Sequence, residues 1–178
     1  PPEFKSYDQY LDFMVDKVLP EVKKKKLSHR VDIFIENGFF SASSGAKFLA
    51  NAKAMGFQIT VHADQISLSG GTEAALSVGA LSADHVIQLD EQKITQVAKS
   101  ELTAVLLPAA DLYMRCAYPK ARKLIDAGAR VAIATDFNPG TSPTQDLSLV
   151  GLLSRLEMKM TLPEVISAYT VGAAYALG

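Results

Sequence analysis

The chain has 178 residues, of which 48% are hydrophobic, and its formal net charge at pH 7 is −1. These values allow one sizeable core and give no reason to expect binding to nucleic acid or anionic lipid. We find no apolar run of about 18 residues and no charged-then-apolar leader, so we expect a soluble cytoplasmic protein with no membrane partner. Cys116 is the only cysteine. A disulfide within the chain is therefore excluded, and any metal would need His and carboxylate ligands.

Five short runs of β-branched and large apolar residues predict β-strands. They span residues 31–35, 58–61, 85–89, 104–107 and 130–134. Each run is almost continuously hydrophobic, which is typical of parallel strands covered on both faces. The segments between them show helical spacing of apolar residues, so the sequence predicts an α/β fold in which strands and helices alternate.

The helix before the first strand contains a proline, Pro20, which we expect to end or kink it. Five β-α units are too few to close an eight-fold barrel, which needs about 250 residues. An open doubly wound sheet is the alternative, but the first predicted strand is not followed by a glycine-rich phosphate turn. Because no linker or repeat divides the sequence, we expect one domain or part of one.

Polar side chains cluster at the ends of four predicted strands. They are Glu36, His62, Asp64, Gln65, Asp84, His85, Asp136 and Asn138. Burying charged groups is costly unless they are paired or metal-bound, so packing alone seldom produces such a cluster. His62 by itself would more often be a structural histidine, whereas His62, His85 and Asp136 together favour one active site. His29 lies in a polar stretch and is expected at the surface.

These residue types suit metal-dependent hydrolysis. A catalytic divalent metal commonly takes three protein ligands and leaves one position open. His62 and Asp136 could supply two ligands, and His85 is a possible third. Such a metal lowers the pKa of bound water toward about 7, a carboxylate can accept the water proton, and an imidazole can polarise the carbonyl under attack. A serine nucleophile is less favoured, because no G-x-S-x-G motif is present.

Two stretches, "VHADQISLSGGTEAALSVGALSADHV" at 61–86 and "VAIATDFNPGTSP" at 131–143, closely resemble the imidazolonepropionase family of the amidohydrolase superfamily. The resemblance extends over essentially all of the sequence. It implies that the parallel strands and helices are about strands 4 to 8 of a (β/α)8 TIM-type barrel. Residues 1–178 would then be a partial TIM-barrel amidohydrolase catalytic domain.

The resemblance also implies roles for individual residues. His62 and Asp136 would bind one divalent metal, zinc or iron, and His85 and Asp136 would be catalytic. The implied substrate-binding residues are Gln65, Asn138, Gly140 and Thr141. The implied reaction is hydrolysis of 4-imidazolone-5-propanoate to N-formimidoyl-L-glutamate in histidine degradation, by an enzyme that is a homodimer.

The sequence departs from the family at one important point. Family members have a histidine-x-histidine pair that supplies two further metal ligands, and this sequence has none. We therefore expect this chain alone to bind metal weakly and to be inactive. Two alternatives stay open: another amidohydrolase, such as a purine or pterin deaminase, and a non-catalytic half-barrel module that serves only in assembly or binding.

Overall fold

The computed structural model describes residues 3–178 and contains a five-stranded parallel sheet. The strands are β1 (Arg30–Ile35), β2 (Gln58–Ala63), β3 (Ser82–His85), β4 (Thr103–Leu106) and β5 (Arg130–Ile133). Their spatial order is the same as their order along the chain. A doubly wound sheet would reverse this order at a switch point, whereas consecutive βα units of a barrel keep it.

Helices precede the first strand, separate the strands and follow the last one. They are α1 (Tyr7–Phe13), α2 (Leu19–Lys24), α3 (Ala42–Ala54), α4 (Gly71–Val78), α5 (Glu91–Ala98), α6 (Pro108–Met114), α7 (Ala121–Asp126), α8 (Leu147–Leu156), α9 (Leu162–Ser167) and α10 (Ala173–Leu177), with π-helical segments at Met14–Val18 and Ala168–Gly172. Within residues 3–178, none of these helices has the length and apolar character needed to cross a membrane.

Pro20 does not end the helix before β1, which was one of the two outcomes that we expected. The helix continues from α1 through the π-helical segment Met14–Val18 into α2, and Pro20 lies in the first turn of α2. A proline ring clashes with the carbonyl four residues earlier and cannot donate a backbone hydrogen bond. The π-helical segment immediately before Pro20 changes the hydrogen-bond pattern there, which is how the helix accommodates this residue.

The third strand lies earlier in the sequence than predicted. It covers Ser82–His85 and not residues 85–89. Both His85 and Val86 have positive φ, at 74° and 47°, so the backbone leaves the extended conformation there. The apolar side chains that follow are buried in a turn. The hydrophobic run therefore indicated that these residues are buried, but it did not indicate an extended backbone. His85 ends the strand instead of beginning it.

The two faces of the sheet differ in burial. One face packs against the helices through a continuous apolar core that includes Ile33, Ile35, Val61, Ala83, Leu106 and Ile133. The other face carries Asp32, His62 and Asp84, because side chains alternate along each strand and neighbouring strands are in register. This second face is only partly covered, and Asp32 is exposed. The expectation of cover on both faces therefore holds only in part for this face.

A bidentate ion pair between Arg122 and Glu164 joins α7 to α9. The Nη1 and Nη2 atoms of Arg122 each donate to one carboxylate oxygen of Glu164, both at 2.9 Å. The backbone N–H of Thr161 donates to the same carboxylate at 2.7 Å, as part of a capping box at the start of α9. The Arg122 hydrogen bonds, followed by that of Thr161, lower the pKa of Glu164 to about 2.

We expect Glu164→Gln to lower the Tm at pH 7, because the neutral amide loses both the ion pair and the charge-assisted cap. Since the pKa of Glu164 is lower in the folded state than its ordinary value of 4.5, the stabilisation is present above that value and is lost as the pH falls toward 2. The Tm difference between the two proteins should therefore shrink over this range. Thermal unfolding at several pH values measures it, with the exposed Glu21→Gln as a control. A Tm difference independent of pH would contradict this role for Glu164.

Candidate active site

A cavity of about 330 Å³ lies at the carboxyl edge of the sheet. Its lining residues are Phe34, His62, Gln65, Ile66, His85, Met114, Asp136, Asn138 and Thr141. Six of the seven residues that the sequence indicated for the site are among them. The seventh, Gly140, lies exposed in the loop after β5 and does not line the cavity. The structure thus brings side chains from the ends of β2, β3 and β5 to one place.

The backbone at this edge is strained. Four non-glycine residues there have positive φ, namely Asp64, His85, Val86 and Asp136, at 49°, 74°, 47° and 53°. Such conformations cost on the order of 1–3 kcal/mol each and persist only where the surrounding structure imposes them. They turn the chain sharply at the strand ends, and two of the four residues, His85 and Asp136, line the cavity. Strain concentrated in this way is frequent at functional sites.

His62 forms a close pair with a carboxylate on the neighbouring strand. Its Nδ1 lies 2.9 Å from Oδ2 and 3.0 Å from Oδ1 of Asp32. This hydrogen bond is the main reason why the pKa of His62 is raised to about 9, and the charges of Asp84 and Asp136 add to the effect. The other ring nitrogen, Nε2, has no hydrogen-bond partner among residues 3–178. It is therefore the nitrogen that remains available to a ligand.

His85 has the opposite electrostatic environment. Only 3% of the residue is exposed, and its Nδ1 has no hydrogen-bond partner among the described residues. Burial lowers the pKa of His85 to about 4, and the positive charge of His62 adds to the shift. The two imidazole rings lie close, with centroids 5.5 Å apart. At neutral pH the cavity therefore contains a neutral imidazole beside one that readily holds a second proton.

The loop after β5 is organised by Asn138. Its Nδ2 donates to the backbone oxygen of Asp136 at 2.7 Å and to Oγ1 of Thr141 at 2.8 Å. Its Oδ1 accepts from the backbone N–H groups of Gly140 at 2.9 Å and Thr141 at 2.8 Å. Both amide atoms are therefore already used within the loop. Burial raises the pKa of the Asp136 carboxyl group, which stands at the start of this loop.

Gln65 keeps hydrogen-bonding capacity toward the cavity. Its side chain is largely buried, and its Nε2 makes only a weak contact, at 3.8 Å, with the sulfur of Met114 on α6. Its backbone oxygen accepts from Gln88, which fixes the position of the residue after β2. An amide held in this way offers one donor and one acceptor direction to a polar ligand.

Glu36 stands at a strand end but does not line the cavity. It accepts hydrogen bonds from the backbone N–H groups of Asn37 and Ile66, both at 2.8 Å, and from the backbone and hydroxyl of Ser67. Burial alone would raise the pKa of Glu36, but these hydrogen bonds together lower it. Glu36 thus fastens the loop after β2 to the end of β1, which is a structural task.

Asp64 is likewise occupied in local structure. Its Oδ1 accepts from the backbone N–H groups of Ser69 at 2.7 Å and Gly70 at 3.0 Å, and its Oδ2 accepts from Thr72 at 2.9 Å. These groups lie at the start of α4, whose first N–H groups have no partners within the helix. Asp64 is fully buried and satisfies them. It positions the loop that carries Gln65, and it does not line the cavity.

Two carboxylates lie near His62: Asp32, which the sequence did not indicate, and Asp84, which it placed among the polar residues at strand ends without a role. Candidate ligand atoms of Asp32, His62 and Asp84 lie within 4.8 Å of one another, and this is the only such group of three found in residues 3–178. Burial raises the pKa of Asp84 to about 6. Asp136 does not belong to this compact group. For Asp32, the signal available in the sequence was an acidic residue among the apolar residues of β1, on the same face of the sheet as His62.

A third carboxylate, Asp111, was also missed. It lies on α6 directly after β4, with only 2% of the residue exposed, and neither oxygen has a hydrogen-bond partner among the described residues. Burial raises the pKa of Asp111 to about 7, and the charge of Asp136 adds to the shift. Nothing in the sequence distinguishes it from a residue that merely favours the first turn of a helix.

The donor set suits a divalent cation. His62 presents a free Nε2, and the carboxylate of Asp136 lines the same cavity. Imidazole and carboxylate ligands are those that zinc and ferrous iron accept in catalytic sites.

Comparisons with known proteins were made for the sequence and for the fold. No protein-family model matches the chain. The chain is 64% identical to an imidazolonepropionase from Bdellovibrio bacteriovorus over 177 residues, which is 99% of this chain and 42% of that protein. It is 44% identical to an imidazolonepropionase from Bacillus velezensis over 100% of this chain and 42% of that protein.

Solved structures show the same fold at low sequence identity. An adenosine deaminase from Xanthomonas campestris with bound zinc has a TM-score of 0.69 and 16% identity, over 90% of this chain and 42% of that one. An atrazine chlorohydrolase from Arthrobacter aurescens complexed with zinc has a TM-score of 0.70 and 17% identity, over 92% and 43%. These likenesses confirm the predicted fold, in which parallel strands alternate with helices as in part of a TIM-type barrel. The chain is a homologue of imidazolonepropionases and spans about 42% of the length of the relatives it matches.

Proposed function

We propose that the protein to which this chain belongs hydrolyses 4-imidazolone-5-propanoate to N-formimidoyl-L-glutamate, a step of histidine degradation. The observation that carries the proposal is the cavity at the carboxyl edge, where His62, His85 and Asp136 meet. Similarity to imidazolonepropionases along nearly the whole chain supports it. We take residues 1–178 to be part of one catalytic domain. A homodimeric assembly and a cytoplasmic location belong to the same proposal.

In this proposal His62 and Asp136 hold one divalent metal, either zinc or iron. When bound, the metal supplies Lewis acidity, which lowers the pKa of water toward about 7 and makes a nucleophile available at neutral pH. His62 would bind through Nε2, because Asp32 occupies Nδ1. Both of the solved structures described above contain zinc, which supports a divalent metal here.

His85 polarises the ring carbonyl under attack. Because its pKa is lowered to about 4, its imidazole is neutral at pH 7 and can donate one N–H to the carbonyl oxygen as negative charge develops there. The unpartnered Nδ1 means that no protein group competes for this nitrogen in the described structure. A buried donor with fixed orientation stabilises the transition state without having to reorganise.

Asp136 moves the proton. Burial raises the pKa of its carboxyl group, which makes the carboxylate a stronger base than an exposed aspartate. It accepts a proton from the attacking water and returns it to the ring nitrogen when the C–N bond breaks. One water is added, one C–N bond is cleaved, and the carbonyl carbon becomes the carboxylate of the product.

Gln65 and the loop after β5 orient the substrate. The Gln65 amide can pair with the donor and acceptor of the ring amide. Asn138, whose amide atoms hold Gly140 and Thr141 in place, acts through the shape of the loop, and Thr141 lines the cavity directly. In this proposal Gln65 and Thr141 contact the substrate directly, whereas Asn138 and Gly140 act by fixing the shape of the loop.

The first test is substrate choice in the naturally encoded protein. We expect N-formimidoyl-L-glutamate to form from 4-imidazolone-5-propanoate, activity to be lost after chelation and restored by zinc or iron, and no ammonia to be released from adenine or guanine substrates. Product formation is followed by mass spectrometry and ammonia release by a coupled assay. Turnover of a purine with no hydrolysis of the imidazolone would establish the deaminase alternative, and no turnover of either substrate with metal present would favour the non-catalytic module.

The second test separates the roles of Asp136 and His85. We expect Asp136→Asn to lose both bound metal and activity, because the amide cannot act as an anionic ligand or as a base. We expect His85→Ala to lower kcat by about 10²–10³ while metal content is unchanged, since it removes a donor to the developing oxyanion. The exposed His29→Ala is the matched control and should behave like the wild type. Full activity in Asp136→Asn, or metal loss in His85→Ala, would refute these assignments.

A further inference from the structure

Within the site, a hydrogen bond joins the His62 ring to the carboxylate of Asp32. Both carboxylate oxygens of Asp32 lie within hydrogen-bonding distance of Nδ1, at 2.9 Å and 3.0 Å. Thr60 Oγ1 donates to Oδ1 of Asp32 at 3.1 Å and so fixes the carboxylate from a second direction. The register of β1 and β2 places Asp32 beside Thr60 and Phe34 beside His62, so the pairing is built into two rigid strands.

This contact determines which ring nitrogen is free. With Asp32 as acceptor, Nδ1 keeps its hydrogen, so a cation that displaces the second proton of the ring finds the lone pair at Nε2. A carboxylate in this position also limits rotation of the ring and increases its basicity as a ligand. His62 would otherwise be free to turn, because about a third of its side chain, 34%, is exposed.

We propose that Asp32 is the positioning residue of His62, holding its imidazole in the tautomer and orientation that present Nε2 to a divalent cation. The inference rests on the proposed function only in taking His62 as a metal ligand. Asp32 acts through His62 and is not itself a ligand. Thr60 supports it through the hydrogen bond from its hydroxyl group.

Asp84 provides an internal comparison. It is the neighbour of His62 on the other side, in register on β3, and it also carries a carboxylate. Its Oδ1 accepts from the Ser82 hydroxyl at 2.8 Å, and the structure shows no hydrogen bond between the His62 ring and Asp84. Asp84 therefore influences His62 by charge alone, whereas Asp32 influences it by charge and by hydrogen bonding.

The test measures the zinc affinity of the complete protein to which this chain belongs, by competition with a chromophoric chelator. We expect Asp32→Ala to weaken zinc binding by about 10- to 100-fold, the usual effect of removing such a partner. Asp32→Asn should recover most of the affinity, because its Oδ1 can accept the same hydrogen bond, and Asp84→Asn should lose less than Asp32→Ala. Unchanged affinity in Asp32→Ala would overturn the inference. Equal losses in Asp32→Ala and Asp84→Asn would also overturn it, as would failure of Asp32→Asn to recover affinity.

A second measurement needs neither metal nor substrate. In ¹⁵N–¹H spectra of the metal-free protein, we expect the Nδ1–H of His62 to be protected from exchange, to remain so in Asp32→Asn, and to lose protection in Asp32→Ala. If Asp32→Ala does not fold, Thr60→Val replaces it, with weaker protection expected and unchanged protection counting against the inference. Wild-type protein that binds no zinc would contradict the proposed function, whereas protection independent of Asp32 would contradict this inference.

Discussion

Parallel pairing of the strands in chain order is the constraint on which the candidate site depends. Because all five strands run in the same direction and each pairs with the next, their carboxyl ends meet at one edge. Residues far apart in sequence, such as His62 and Asp136, therefore line one cavity. Positive-φ residues at three of the strand ends then turn the chain sharply into the loops. The cavity is a consequence of topology first and of local strain second.

The electrostatics of the cavity follow from which side chains have partners. His62 has a carboxylate at hydrogen-bonding distance, and its pKa rises; His85 is buried without a partner at Nδ1, and its pKa falls. Two identical side chains whose ring centroids are 5.5 Å apart thus acquire different protonation preferences. Groups whose environments separate their pKa values in this way can divide ligand binding and carbonyl polarisation between them. Carboxylates at the same edge that are fully hydrogen-bonded, Glu36 and Asp64, contribute to loop structure instead.

The sequence predicted the alternation of strands and helices well, because apolar runs and helical spacing of apolar residues mark these elements directly. It misplaced β3, because the run from His85 to Leu89 is buried but not extended. It grouped Glu36 and Asp64 with the site, because a strand end identifies where a residue lies and not what its side chain binds. Asp32 and Asp111 were missed for the complementary reason: the importance of each depends on a partner, or on the lack of one, that only the folded arrangement shows.

The resemblance that the sequence suggested is confirmed by relatives that match nearly the whole chain, and the fold is confirmed by solved structures. The roles proposed for individual residues were implied by that resemblance, and the geometry of the cavity supports the proposal, which centres on His62. Because Nδ1 of His62 is paired with Asp32, a metal bound by this histidine would use Nε2 and need further ligands.

The most direct measurement is anomalous diffraction at the zinc edge from crystals of the zinc-loaded, naturally encoded protein. The expected result is one ion bonded to Nε2 of His62 and to a carboxylate oxygen of Asp136, with Asp32 still hydrogen-bonded to Nδ1. An ion bound by Asp32 and Asp84, or bound away from His62, would contradict the proposed site.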